Sequence, residues 1–453
     1  MGIITLQQAA RWCGGQIDPK YAEVAFFGAC NDSRNIQPGQ LFLALQGARD
    51  GHDFIPMALD KGAAAVLCSR CQGDYPAIVV EDPLRALGDI ARGERQRIGM
   101  KVIAVTGSVG KSTTKEMIAC VLESRYRTEK TPANHNSDIG MPMSILSMPE
   151  DTQVAVLEMG MDNFGQIAYL SGIGRPDVAV IVNIGSMHIE HLGSRQGILK
   201  AKMEITEGMR PEGQLILNGD DDMLQLAPSM TDIPISYFGI GNPACQVRGS
   251  EIREKDGMLC FSITYGDSRV PVSLPLEGEH YVPDALAAAS VGLKLGISLE
   301  EIRESLHSFR NMAGRQEIFE AKGCTIIRDC YNAGPESMAA ALAVLGKKEG
   351  RRIAVLGDML ELGACSQAEH YRIGRIAAEK AEIVLAYGPN RSRVISGAMT
   401  GGIPSERARS FEDRSAMAAA LRSIARPGDV ILFKGSHGMH MELVLNDFLK
   451  DET

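Results

Sequence analysis

The 453-residue sequence has no uncharged apolar run of the ~18 residues a membrane-crossing helix needs, so no membrane span is expected. At Met1–Leu6 there is no basic segment followed by an apolar one, so no secretory signal is read there. Leu6 stands where a myristoylation signal needs Ser or Thr. Positive charge is not in excess: 47 Lys plus Arg against 56 Asp plus Glu leave a net charge of −9. That balance argues against a nucleic-acid binder while permitting local basic loops that hold a phosphate. The ten cysteines are scattered from Cys13 to Cys365 without the density of a disulfide framework. Cys68-Ser-Arg-Cys71 is one CxxC with no second pair to complete a zinc site. No fixed-period repeat and no low-complexity segment is present. What remains is an ordinary globular composition, 45% hydrophobic and 23% charged, expected in the cytoplasm. Its length suits about three domains at roughly 150 residues each.

Apolar runs of strand length, each followed by turn residues and a helical pattern, recur from residue 101 onward. The first group is Val102–Val105, Val154–Leu157, Val178–Val182 and Leu215–Leu217. The second is Thr325–Ile327, Ile353–Leu356, Ile383–Ala386 and Val430–Phe433. Continuous apolar strands alternating with helices predict parallel sheets covered on both faces. Before residue 101, short strands separated by Gly, Pro and Asp suit a small α/β module, and Asp89–Met100 is read as a helix leading out of it. A second break falls near Phe309–Arg315. The expected domains are therefore 1–98, 99–312 and 313–453. Glu158, Asp220, Asp329, Asp358 and Lys434 all follow the carboxyl ends of proposed strands, the edge where open parallel sheets bind ligands.

The most specific motif follows Val102–Val105: Thr106-Gly107-Ser108-Val109-Gly110-Lys111-Ser112-Thr113, then a helix with Met117, Ile118, Val121 and Leu122 on one face. Strand, glycine turn and helix N-terminus direct backbone N–H groups at an anion. Lys111 adds a cation for the β/γ-phosphates, and the Ser112 hydroxyl can ligate Mg²⁺. Val105 stands where the longer form of this loop has glycine, so the motif is the shortened GxxGKST. Kinases, switches and ligases share such a loop.

Glu158, at the end of a buried run, is the carboxylate a phosphate-bound Mg²⁺ needs from its protein. His188 and His191, three apart, could suit a metal pair on a helix, or be plain hydrogen-bonding residues. Ile198, Lys202, Ile205 and Met209 are spaced as the core-facing stripe of a helix. A lysine there either snorkels outward or is buried and loses its proton, becoming open to covalent modification. Lys200, two residues earlier, reads as solvated.

Thr106–Thr113, Leu157-Glu158-Met159-Gly160, Asn183–Gly193 and Ala201-Lys202 together resemble the ATP-dependent Mur ligases of peptidoglycan synthesis, over essentially the whole chain. Within that family, Asp32-Ser33-Arg34, Leu41–Leu45 with Asp50-Gly51-His52, Tyr331-Asn332-Ala333, Leu356–Gly363 and Lys434-Gly435-Ser436 are most similar to one type of member. These join D-alanyl-D-alanine to UDP-N-acetylmuramoyl-tripeptide. The resemblance implies a UDP-substrate domain, a central P-loop ATPase-like domain built on a parallel sheet, and a C-terminal Rossmann-like domain. It implies ATP and two Mg²⁺ ions, the first held by Ser112 and Glu158, the second by His188 and a carbamate on Lys202. Catalytic roles fall to Lys111, His188 and Lys202. Nucleotide contacts fall to Gly107–Thr113, Asn134, Asn136, His280, Arg315 and Asp329. Substrate contacts fall to Ser33, Arg34, Asp50, His52, Asn332, Asp358 and Lys434. A monomer acting on small molecules, without nucleic acid, is expected.

The sequence departs from the family pattern at Ala133, Ser137, Tyr281, Asp284, Arg328, Gly334 and His437. Most of these positions concern nucleotide or third-domain contacts rather than the metal site. Two alternatives stay open: another amide ligase of the superfamily, adding the third peptide residue or glutamate to folate, and a P-loop NTPase switch. The Glu158, His188 and Lys202 set weighs against the switch, which needs no second metal.

Overall fold

The computed structural model describes residues 2–312 and 314–450; the expected domain limits at residues 1, 313 and 453 lie outside them. All eight apolar runs form strands. The first group becomes Lys101–Thr106, Val154–Glu158, Val178–Ile181 and Gln214–Asn218. The second becomes Cys324–Asp329, Arg352–Gly357, Ile383–Tyr387 and Val430–Lys434. Their apolar side chains are buried on both faces, as parallel strands between helices require.

The fold is mixed α/β, with three sheet-bearing regions. In the first, Ala29–Cys30, Leu41–Leu43, Ala65–Cys68 and Ala77–Val79 make a four-stranded parallel sheet. The helix leading out of it is Pro83–Ile98, starting six residues earlier than the expected Asp89. The cause is local: the Asp82 carboxylate accepts from the N–H groups of Leu84 and Arg85 at 2.9 and 3.1 Å, and Pro83 pre-sets the first turn.

The central sheet has nine strands. From one edge run Ser268–Leu274, Met258–Tyr265, Val247–Lys255, Ile235–Gly239, Gln214–Asn218, Val178–Ile181, Lys101–Thr106, Val154–Glu158 and Thr128–Lys130. The first three pair antiparallel, and the rest are parallel. That antiparallel ribbon was not expected. Along Val247–Lys255 buried and exposed residues largely alternate, so one face meets solvent and no continuous apolar run marks it.

The third sheet has six strands in the order Glu317–Ala321, Cys324–Asp329, Val430–Lys434, Arg352–Gly357, Ile383–Tyr387 and Ala408–Phe411, all parallel except the first. The strand orders place Thr106, Glu158 and Ile181 side by side at one carboxyl edge, and Asp329 beside Lys434 at another. The Lys202 stripe does face the interior: Ile198, Lys202, Ile205 and Met209 are all buried, although the helix Arg195–Met203 tightens into a 3₁₀ turn at Glu204–Thr206.

Candidate active site

A cleft of about 930 Å³ opens between the carboxyl edges of the central and third sheets, with Leu84 and Arg85 of the helix Pro83–Ile98 at one end. The phosphate loop forms its floor. Gly110 has φ 83°, and a Cβ there would come 2.7 Å from Asp284 Oδ1, so the turn needs glycine on both counts. Asn183 holds the loop's shape. Its Oδ1 accepts from the N–H groups of Ser108 and Val109 at 3.1 and 3.0 Å, and its Nδ2 donates to the Val109 carbonyl at 3.0 Å. Lys111 Nζ donates to the Gly107 carbonyl at 2.8 Å, and desolvation pulls its ammonium below the ordinary lysine pKa against the opposing pull of Glu158.

Beside the loop, Ser112 donates its hydroxyl to Glu158 Oε2 at 2.7 Å, and Asn136 Nδ2 donates to Glu158 Oε1 at 2.8 Å. Lys115, one helical turn beyond Lys111 and fully buried, lies 3.8 Å from Glu158 Oε2 and donates to the Thr131 carbonyl at 2.7 Å. The Arg315 guanidinium sits 4.0 Å above the Tyr331 ring and donates to the Ser112 hydroxyl at 2.9 Å. In the third domain, Lys434 Nζ pairs with Asp329 Oδ2 at 2.6 Å and donates to the Asn332 carbonyl at 3.0 Å.

Lys202 is 2% exposed and makes no side-chain hydrogen bond or ion pair among the described residues. Desolvation, with repulsion from the Lys111 charge, pulls its pKa well below the ordinary value. His188 is not half of a helical metal pair: its backbone is left-handed at φ 63°, it precedes the short helix Ile189–Leu192, and His191 faces solvent. The three-residue spacing therefore brings no second imidazole to the site. Instead His188 Nδ1 lies 2.6 Å from Glu361 Oε2 of the third domain, which holds the Glu361 carboxyl below its usual range.

The donors suit Mg²⁺ at the first position. Ser112 and Glu158 are hard oxygen ligands, both 2% exposed, and two protein ligands leave the remaining positions to water and phosphate, as Mg²⁺ prefers. A carbamate on Lys202 also suits its surroundings, since carbamylation needs the neutral amine that burial favours and puts an anion near the Lys111 charge. Among the described residues no group of three His, Cys, Asp or Glu side chains is disposed to hold a metal ion, in this cleft or elsewhere.

The remaining residues divide. Asn134, Asn136, His280, Arg315, Asp329, Asn332 and Lys434 line the cleft with the loop. Ser33, Arg34, Asp50 and His52 do not line it. Ser33 is buried against Met57, the Arg34 guanidinium pairs with Asp32 at 2.8 Å, and His52 bridges Asp50 and the Ser69 N–H at 2.7 and 3.2 Å. Asp358 is 1% exposed and accepts on Oδ2 from the Asn390 N–H and side-chain amide at 2.9 and 2.8 Å, holding a third-domain loop. Asp220 likewise caps a turn through the N–H groups of Ile240, Gly241 and Asn242. Of the five charges at strand ends, then, Glu158, Asp329 and Lys434 reach the cleft. Glu361, Glu336, Lys115 and Asn183 were not singled out from the sequence. Lys115 carried a usable signal, its position on the buried face of the loop helix.

The departures have partners of their own. Asp284 accepts from the Thr114 hydroxyl at 2.7 Å, the Tyr281 hydroxyl accepts from Asn311 at 3.2 Å, and Arg328 pairs with Glu317. Ala133 adopts φ 44°, a left-handed backbone that glycine takes more readily.

The fold and loop define a three-domain α/β chain with a phosphate-loop site. Three family descriptions match it: the Mur ligase family catalytic domain at 28–95, the Mur ligase middle domain at 105–292, and the Mur ligase glutamate ligase domain at 314–437. The UDP-N-acetylmuramoyl-tripeptide–D-alanyl-D-alanine ligase of Bacillus subtilis is 37% identical over 98% of both chains. Among solved structures, MurF from Acinetobacter baumannii superposes with a TM-score of 0.91 at 32% identity over the whole of both chains. MurF ligase from Thermotoga maritima in complex with ADP gives 0.83 at 30% identity, covering 93% of this chain and 97% of that one. The chain belongs to the Mur ligase family.

Proposed function

We infer that this chain joins the amine of D-alanyl-D-alanine to the terminal carboxylate of UDP-N-acetylmuramoyl-tripeptide, consuming ATP and passing through an acyl phosphate. The products are UDP-N-acetylmuramoyl-pentapeptide, ADP and phosphate, which makes it an enzyme of peptidoglycan precursor synthesis. The observation that carries the reading is the single cleft in which the phosphate loop, the Ser112–Glu158 pair and His188 face Asp329, Asn332 and Lys434. Whole-chain likeness to ligases of that name supports the choice of substrates. We assign residues 1–98 to the UDP end of the substrate, with Ser33 and Arg34 beside it, 99–312 to ATP, and 313–453 to the dipeptide. The three larger sheets fall within these limits.

In the first step the tripeptide carboxylate attacks the γ-phosphorus, the bond to the β-bridging oxygen breaks, and ADP leaves. In the second the dipeptide amine attacks the acyl carbon, phosphate leaves with the bond electrons, and the amide nitrogen gives up a proton. Lys111, now on the carbonyl of Gly107, is within its own reach of the phosphates, and its charge opposes the charge building on the transferred group. Ser112 and Glu158 would hold one Mg²⁺ and His188 with carbamylated Lys202 the other; bound there, the ions supply further charge neutralisation at the phosphoryl group. Asp329, Asn332 and Lys434 cover the site from the third domain and keep water from the acyl phosphate, which would otherwise hydrolyse.

No helix among the described residues is long and apolar enough to cross a membrane. The reading places the chain in the cytoplasm as a monomer, and a one-chain mass by light scattering checks the latter. The central test is phosphate release with ATP, Mg²⁺, UDP-N-acetylmuramoyl-tripeptide and D-alanyl-D-alanine, each omitted in turn. Release that needs both co-substrates, with the pentapeptide seen by mass, is expected. Release from ATP alone, unchanged by either, would favour a switch.

A further inference from the structure

The loop that carries His188 is gripped by the third domain at two carboxylates. Glu336, in the first turn of the helix Pro335–Gly346, accepts on Oε1 from the Ser186 backbone N–H at 3.1 Å and the Ser186 hydroxyl at 2.9 Å. A Cβ on Gly185 would stand 2.9 Å from the Glu336 carboxyl carbon, so the carboxylate occupies the space that a side chain there would take. Two residues beyond Ser186, His188 Nδ1 is buried 2.6 Å from Glu361 Oε2, an ion-pair contact without hydrogen-bond geometry, and it has no hydrogen-bond partner among the described residues.

Both sides of that second contact are strained. His188 has φ 63° and Glu361 φ 62°, a left-handed backbone that disfavours a residue with a side chain by roughly 1–2 kcal/mol. Such strain persists where surrounding contacts fix it, and it clusters at functional sites. A surface ion pair contributes at most about 1 kcal/mol and calls for no strained backbone on either partner. The contact therefore does something a solvent pair would not.

The chemistry of the imidazole says what. A carboxylate 2.6 Å from Nδ1 favours the ring proton on that nitrogen, which leaves the Nε2 lone pair free. We propose that Glu361 is a positioning residue: it orients His188 for the second metal ion, so that this ion's site is complete only while the third domain is docked on the central one. Glu336 fixes the loop and Glu361 fixes the ring. Metal occupancy and domain closure then become one event, and the phosphoryl transfer machinery is finished only when the cover that excludes water is in place. The proposal rests on the reading of His188 as a metal ligand.

The test counts Mn²⁺ by electron paramagnetic resonance on the full chain with a non-hydrolysable ATP analogue, in bicarbonate buffer. Wild type is expected to bind two ions, and His188→Ala to lose the weaker one. Glu361→Gly removes the carboxylate while suiting the φ of 62°, so Tm should hold or rise while the weaker ion binds roughly 10–100-fold less tightly, the usual loss on removing such a partner. Glu361→Gln, whose amide oxygen can still accept from Nδ1, should recover part of that affinity. Two ions bound by Glu361→Gly at wild-type affinity, with one lost in His188→Ala, would overturn the positioning role alone. Two ions retained in His188→Ala would overturn the ligand reading, and the proposal with it.

Discussion

The two clusters read as metal sites differ in how their polar groups are satisfied. Around Glu158, Ser112 and Asn136 donate to the two carboxylate oxygens at 2.7 and 2.8 Å, and buried Lys115 stands 3.8 Å away, all from the central domain. Around Lys202 less is satisfied: the residue is buried with no side-chain hydrogen bond or ion pair among the described residues, and His188 takes its ion-pair contact from another domain. A hydrogen-bonded buried network sustains itself, whereas an unpaired buried charge is costly and persists where it has a use. The first cluster is thus a finished part of one domain, and the second is completed from outside, by modification and by docking.

The widest test of that contrast is Lys202→Met. Ligation should fall by roughly 10³-fold or more, as expected when charge stabilisation at the reacting group is removed. Stability of the unmodified chain should rise, because the variant removes the cost of burying the amine and stripping its proton. The sign also follows from linkage. The unfolded lysine binds its proton up to about pH 10 while the folded one releases it well below, so wild-type stability climbs with pH across that interval and the variant's should not. Turnover near wild type, or a lower Tm for the variant at pH 7, would contradict the contrast. Glu158→Gln probes the other cluster with a smaller expected loss, roughly 100-fold in ligation and partly restored by excess Mg²⁺. There Tm should fall, since Lys115 loses the anion beside it.

The same contrast explains what could be read from the sequence. The parallel strands were legible because burial on both faces writes them as unbroken apolar runs, and the phosphate loop because its glycines, lysine and serine must be consecutive. Lys202 was legible as a misfit on an apolar stripe. The ribbon's first strand, Val247–Lys255, was not, since one face is wet and no continuous apolar run marks it. Nor were Glu336 and Glu361 legible as partners of Ser186 and His188, because the spacing between them is set by how two domains dock and not by any local period. Asp358 shows why position alone does not separate the cases: a charge at a strand's carboxyl end resembles a ligand-binding group whether it lines the cleft or, as here, holds Asn390.

Asp284 gives an intermediate effect. It is a buried acid in the central domain with one hydroxyl partner, and burial pushes its carboxyl from 3.8 up to about 7. Between those values the folded chain holds a proton the unfolded chain has lost, so stability falls as pH rises through that window. Asp284→Asn keeps an acceptor for the Thr114 hydroxyl and removes the titration. The two proteins should melt alike near pH 4, and the variant should be more stable at pH 8 by on the order of 4 kcal/mol. Equal pH profiles would mean that Asp284 ionises at no cost.

The smallest expected effect bears most directly on whether the first cluster belongs to one domain. Arg315 lies after the second domain break, yet it donates to the Ser112 hydroxyl at 2.9 Å while stacking 4.0 Å above Tyr331. Lysine keeps the charge but has neither the planar face to stack nor the fork to reach two partners. If the arginine only helps to seat the nucleotide, Arg315→Lys loses the ring contact, about 1 kcal/mol, and raises the KM for ATP roughly fivefold with kcat nearly unchanged. If kcat falls more than KM rises, the guanidinium acts on the transition state beside Ser112. The first cluster would then also wait for the third domain, and the two halves of the site would differ only in how much each waits.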